Sequence, residues 1–209
     1  MNYKKFFLIA FLFVPSIARA KPISYVGGTM VMQENDETGS TFQLDYTVTP
    51  KYAVGLYAKQ DQGGKDFFTV GPQLNYLVKR WNLEDGQGNI FTMTGAGTSR
   101  YQGAENASAW ASILADYETR RVFYSYEARL MYVDTVEKST WQRARVGFAP
   151  YLANYEDLNS WLMLQVDYHP KKDHSTVVTP LLRFFYKTNL IEIGVSNRRT
   201  AMFNWVLQF

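Results

Sequence analysis

Residues 201–209 read AMFNWVLQF. In an extended strand successive side chains point to opposite faces. Ala201, Phe203, Trp205, Leu207 and Phe209 therefore share one face, and Asn204 and Gln208 lie on the other. The same period of two recurs upstream. Ile191, Ile193 and Val195 oppose Glu192, Gly194 and Ser196, and Val178, Leu182, Phe184 and Tyr186 oppose Thr179, Arg183 and Lys187. Leu162, Leu164, Val166 and Tyr168 oppose Gln165, Asp167 and His169. Val122, Tyr124, Tyr126, Leu130 and Tyr132 oppose Ser125, Glu127 and Arg129, and Phe42, Leu44, Tyr46 and Val48 oppose Gln43, Asp45 and Thr47. Helical periodicity is nearly absent, so the chain reads as all-β.

Extending this pattern predicts twelve strands, over residues 23–33, 41–49, 52–60, 66–80, 88–99, 107–119, 121–134, 139–152, 158–169, 175–187, 189–197 and 200–209. The sixth has an ambiguous outer face around Ala109, Trp110 and Ala111. A helix beginning at 113–115 would reduce the count to ten. Connections at 49–51, 82–88, 119–121, 153–157 and 187–189 fall on one end. The opposite end carries 34–40, 61–65, 100–106, 134–138, 170–174 and 197–199, rich in Gly, Asp, Asn and Lys as turns over solvent are. Pro72, Pro150 and Pro180 fall inside predicted strands, where each removes a ladder donor and predicts a bulge.

Two all-β classes take this many strands. A soluble sandwich buries its apolar face, whereas a membrane barrel turns it to lipid and keeps polar groups inside. Strands of ~10–13 residues suit tilted membrane spans better than the ~5–6 residues usual in soluble sheets. Aromatics lie near strand ends (Tyr52, Trp81, Tyr117, Trp161, Tyr186, Phe209), as interfacial girdles require. The polar face also carries many charges. The pattern favours a closed, antiparallel, up-and-down transmembrane β-barrel with short loops.

Residues 1–20 read MNYKKFFLIAFLFVPSIARA. Lys4 and Lys5 precede nine apolar residues, Phe6 to Val14, and Ala18-Arg19-Ala20 fits a small-x-small cleavage site, the pattern of a secretory signal peptide. Nine residues are too few to cross a ~30 Å hydrocarbon core as a helix. Lys21 is therefore the expected mature N-terminus, and 21–209 the expected single barrel domain. The 209-residue chain has 22 Lys+Arg and 19 Asp+Glu. Three of the bases (Lys4, Lys5, Arg19) and none of the acids lie in the leader, so the expected mature chain is neutral. No global positive field remains for nucleic acid. The absence of Cys excludes disulfides, thiolate metal sites and Cys nucleophiles.

An export signal, alternating spans and a final strand ending FNWVLQF make the chain resemble Gram-negative outer-membrane β-barrel proteins. The resemblance implies that Phe203, Trp205, Leu207 and Phe209 are read by the barrel-assembly machinery, and that outer-membrane lipids and lipopolysaccharide surround a monomer. Twelve strands with short loops are similar in size to narrow channels for acidic sugars and oligogalacturonates, without their diagnostic motifs. VGPQLNYLVKRWN (70–82) and TPLLRFF (179–185) also look like small outer-membrane proteins associated with metal-resistance systems.

By parity, Asp45, Lys59, Lys79, Asp116, Glu118, Glu127, Arg129, Arg143, Arg145, Asp167, Arg183, Lys187 and Glu192 point inward. Buried charges must pair or touch water, and this balanced set suits either a narrow wet pore or an occluded lumen. Arg129, Arg143, Arg145 and Arg183 form a candidate basic ladder, with Glu127, Asp167 and Glu192 tuning the field. Guanidinium forks suit carboxylates and phosphates, so small anionic solutes are the expected cargo. No cofactor is called for. His169 with Ser175 and Asp173 offers a weak hydrolase constellation, lacking a GxSxG motif. His169, His174 and Asp173, or Met30, Met32, Met131, Met163 and Met202, offer weak metal ligands, although Met is more often flexible filler.

Overall fold

The computed structural model describes residues 21–62, 64–154, 156–170 and 175–209. They form β1 (Thr29–Asp36), β2 (Gly39–Thr49), β3 (Tyr52–Asp61), β4 (Phe67–Asn82), β5 (Gly86–Tyr101), β6 (Ala104–Thr119), β7 (Val122–Val133), β8 (Glu137–Phe148), β9 (Asn159–Tyr168), β10 (Thr176–Tyr186), β11 (Asn189–Val195) and β12 (Ala201–Gln208). Each strand pairs antiparallel with its neighbours in sequence, and β12 returns to β1. The C-terminal strand thus closes a twelve-stranded barrel. Six residue pairs join β12 to β1, from Met30↔Gln208 to Asn35↔Phe203. Two bonds between Thr29 and Phe209 seal the seam, at 2.6 and 3.0 Å. Closure leaves no exposed sheet edge, the condition for backbone to cross lipid.

The wall is inverted relative to a soluble sheet. Outward positions are apolar and exposed, with Leu130 58% and Leu162 57% accessible, alongside Leu44, Tyr46, Leu56, Ile193 and Phe203. Inward positions are polar and buried, including Gln43, Asn75, Asn89, Gln165, Asp167 and Glu192. Oil outside and polar groups inside is the arrangement of a membrane-spanning barrel. No helix among the described residues is long and apolar enough to cross a membrane.

β6 runs unbroken through sixteen pairs with β5, from Gly86↔Thr119 to Tyr101↔Ala104. The twelve-strand reading holds, and the ten-strand alternative falls. Trp110, ambiguous in sequence, points inward. Its indole packs at a tilt against Tyr57, with ring centroids 4.8 Å apart, and donates to Gln73 Oε1 at 2.9 Å. The indole lies over Gly95, where an added Cβ would stand 2.3 Å from the ring, so the glycine opposite is what lets a Trp fit inside a narrow lumen.

Several expectations are corrected. β1 begins at Thr29 and not at residue 23, because Gly27 takes a φ of +86° and turns the chain before the strand starts. The expected loop 34–40 is mostly strand, with Glu34 and Asp36 in β1. The expected connection 82–88 contracts to three residues between β4 and β5. The predicted proline bulges are absent. Pro72 and Pro180 pair in register opposite Leu56 and Leu164, the β4–β5 ladder skips Gly71 and Pro72 without a register shift, and Pro150 lies beyond the end of β8. The β4–β5 register shifts instead between Leu77 and Lys79. That bulge reverses parity, so Lys79 faces outward over Trp81 while Arg80 reaches Asn89 at 2.7 Å. Lys187 is also not in the lumen. It occupies the β10–β11 turn at φ +54° and pairs with Glu156 at 2.9 Å. The Glu156 carboxylate holds its ammonium above the ordinary lysine range.

Candidate functional site

The strand register builds a belt of charge across the lumen. In an antiparallel pair, residues directly opposite share a face and lie within side-chain reach. Arg183, Glu192, Asn204 and Glu34 stand directly opposite one another on β10, β11, β12 and β1. Glu127, Arg143 and Asp167 do the same on β7, β8 and β9. Both rows project inward.

Every one of the four sequence-predicted arginines is ion-paired. Arg143 reaches Asp167 at 2.7 Å, Asp36 at 2.8 Å and Glu34 at 3.4 Å. Arg183 meets Glu192 at 2.7 Å, and Arg145 meets Glu192 at 3.5 Å and Glu34 at 3.8 Å. Asn204 donates to the second Glu192 oxygen at 2.8 Å, and Arg145 donates to Gln165 at 2.7 Å. Arg129 meets Glu127 at 2.8 Å and donates to the Tyr57 hydroxyl at 3.2 Å. The arginines therefore do not form a bare basic ladder. They alternate with carboxylates, and aromatic rings flank them: Arg143 over Trp141 at 4.4 Å and Arg183 over Phe123 at 4.5 Å. Such faces suit guanidinium stacking.

Some of these bonds cross the lumen and do not merely run along its wall. β8 and β1 are five steps apart around the twelve-stranded ring, and β7 and β3 are four. The Arg143–Asp36, Arg143–Glu34 and Arg129–Tyr57 contacts are consequently struts between opposing walls. A cavity of about 520 Å³ lies on the loop side of the struts, lined by Asp36, Lys59, Asp61, Trp141 and His169 among others. A second, of about 180 Å³, lies on the termini side, lined by Met30, Met32, Met93, Asp116, Glu118 and Phe123 among others. Glu34, Arg129 and Arg143 line both. These three side chains are the partition between the cavities.

Glu34, Asp36 and Tyr57 are site residues that the sequence reading missed. The first two lay in an acidic stretch read as a solvent loop. Alternation carried through to residue 36 would have revealed them. His169 lines the loop-side cavity, with its ring 6.1 Å from Trp141. Its amide donates to the Ser175 carbonyl at 2.6 Å. Asp173 and His174, the remaining hydrolase and metal candidates, lie outside the described residues. Among the described residues, no three His, Cys, Asp or Glu cluster as a metal site. The methionines are spread around the inside of the wall, with Met131 beside Tyr57 and Trp110, Met163 and Met202 beside Trp161, and Met30 against Leu190 and Val206.

The termini end holds a feature that alternation misread as strand. Residues 21–24 fold back into the lumen. The Lys21 ammonium bonds Asp116 at 3.0 Å and Gln87 at 3.1 Å. Gln208 donates to the Lys21 carbonyl and Asn75 to the Pro22 carbonyl. Ile23 is buried against Ala53, Leu77 and Phe91, and the Ser24 amide donates to the Thr47 hydroxyl at 3.0 Å.

No protein-family model matches the chain, and no curated protein matches it. Six solved chains do. One is the KdgM porin in complex with disordered oligogalacturonate, at a TM-score of 0.49 and 13% identity, covering 87% of this chain and 98% of that one. A structure of KdgM porin alone gives the same figures. A third, from work on in-meso crystallization of membrane proteins, gives a TM-score of 0.46 and 11% identity, covering 88% of this chain and 83% of that one.

Proposed function

We propose that this chain is an outer-membrane barrel that works as a narrow passive channel for small anionic solutes, and not as an enzyme. The observation that carries this reading is the partition. Two cavities, one toward each mouth, meet at the side chains of Glu34, Arg129 and Arg143, which line both. Side chains exchange partners on short timescales, whereas a backbone plug would have to unfold. Arg129, Arg143, Arg145 and Arg183 are the solute contacts in this reading. A passing carboxylate or phosphate can replace one of the carboxylates that each guanidinium already holds. Glu127, Asp167 and Glu192, with Glu34 and Asp36, hold the forks in place and offset their charge in the empty lumen.

Residues 1–20 are the cleaved export signal in this account and 21–209 the barrel. Phe203, Trp205, Leu207 and Phe209 lie on the outer side of the closing strand, where the assembly machinery can read them. The apolar wall meets lipid and lipopolysaccharide around a monomer. Planar-bilayer recording tests the reading. It predicts a small conductance with a reversal potential shifted toward the anion in a salt gradient.

A second reading, an occluded structural barrel, is favoured by one observation: each belt arginine is already ion-paired. Complete absence of current at every voltage would select it.

A further inference from the structure

Asp45 differs from every belt carboxylate. It is 1% exposed, neither of its oxygens has a hydrogen-bond partner, and the neighbouring amide of Gln43 has a nitrogen that is also unpartnered. Among the described residues no cation acts on it, and Asn75 is its polar neighbour. Its carboxylate lies flat over Gly55, where a Cβ would sit 2.1 Å from Oδ1. A fully buried carboxylate with no counter-charge is a costly arrangement.

The segment 21–24 is bonded to the wall on either side of this site. Around the wall, Asp45 on β2 lies between Gln208 on β12 and Asn75 on β4. Met30 stands opposite both Gln208 and Asp45, and Ala53, opposite Asn75, is on the intervening strand. Gln208 holds the Lys21 carbonyl and Asn75 holds the Pro22 carbonyl. The Lys21–Pro22 backbone therefore bridges the wall on either side of Asp45. The Lys21 side chain is committed elsewhere, to Asp116 and Gln87. The α-nitrogen of Lys21 is an uncharged amide as long as residue 20 is attached. Hydrolysis of the 20–21 peptide bond, in which water adds across the bond, turns it into an ammonium inside the lumen.

We propose that residues 21–24 are a plug that closes the termini-side mouth, latched by a salt bridge between the α-ammonium of processed Lys21 and Asp45. Removal of the leader supplies the one positive charge that the buried carboxylate lacks, so the plug, already seated before cleavage, is latched only in the processed chain. The closure has meaning only in a barrel that conducts, as proposed above.

The chain holds no cysteine, so single introduced cysteines are clean reporters. Protein with Lys21 as its first residue, refolded in detergent, is labelled with a water-soluble maleimide. Ile23→Cys, at 3% exposure, should react at least about tenfold more slowly than Tyr25→Cys, at 57%. Combining Ile23→Cys with Asp45→Asn should remove most of that protection. So should extending the chain by two residues ahead of Lys21, which moves the ammonium away without touching the barrel and serves if the Asn variant folds poorly. Deleting residues 21–24 should raise single-channel conductance severalfold. Equal labelling of the two cysteines overturns the plug. Unchanged protection in both the Asn variant and the extended chain overturns the latch. If Ile23→Cys is protected as expected but neither full nor trimmed protein conducts, the plug stands and the channel reading fails.

Discussion

The belt at mid-lumen and the niche around Asp45 bury charge in opposite ways. In the belt several ions share partners. Glu192 serves Arg145, Arg183 and Asn204, and Arg143 serves three carboxylates. In the niche a carboxylate as deeply buried has none. At Arg143 and Arg145 the belt is redundant, so a solute can borrow one partner there without leaving a bare charge. The niche has no such reserve and is sensitive to a single added cation. This difference separates a part of the lumen that conducts from a part that is set once, during maturation.

The largest expected effect is at the belt. Glu192→Ala leaves Arg183 with no carboxylate, and breaking a buried pair in this way costs about 3–5 kcal/mol. Urea unfolding in micelles, followed by the gel mobility of the folded barrel, reads it. A loss under about 1 kcal/mol would show that water, and not Glu192, solvates the arginines. Asp45→Asn is next, and its sign depends on the N-terminus. In protein beginning at Lys21 it should destabilise by about 1–3 kcal/mol, and in a chain extended before Lys21 it should be neutral or stabilising. The same loss in both would break the contrast between belt and niche. Gly95→Ala pushes a methyl into the Trp110 ring, which is bonded to Gln73 and through it to Gln43 and Asn75 beside the niche. Such overpacking costs about 1–3 kcal/mol, and near-UV circular dichroism of the Trp band should weaken. The smallest effect is expected at the rim, where Arg100 and Glu105 pair at 3.4 Å with side chains 69% and 67% exposed. Glu105→Ala should change stability by less than about 0.5 kcal/mol, the zero line for the other three.

The barrel was largely legible because its lipid face is written in a period of two. Leu130, Leu162 and Phe203 have no other reason to alternate with Arg129, Met163 and Asn204. What alternation cannot carry is parity across a bulge, and Lys79 was placed inside for that reason. It also cannot distinguish a strand from an extended segment folded back on itself. Ile23 and Tyr25 alternate as a strand would, yet Gly27 turns the segment into the lumen. Composition misled at Glu34 and Asp36, where three acids within four residues, Glu34, Asp36 and Glu37, read as a solvated loop. Their partner Arg143 is more than a hundred residues away, and only the closed ring brings them together. The candidate arginines were visible by parity. Their pairing was not, because it depends on the matching of heights across five strands.

The partition formed by Glu34, Arg129 and Arg143 is the centre of the account, and single-channel recording of the wild type beside Arg143→Ala tests it most directly. The variant removes two of the three struts, to Glu34 and Asp36, together with the bond along the wall to Asp167. The expected result is a small, anion-preferring conductance in the wild type, and in the variant a larger conductance with the anion preference reduced. No current from either protein at any voltage, or identical currents from both, would contradict it.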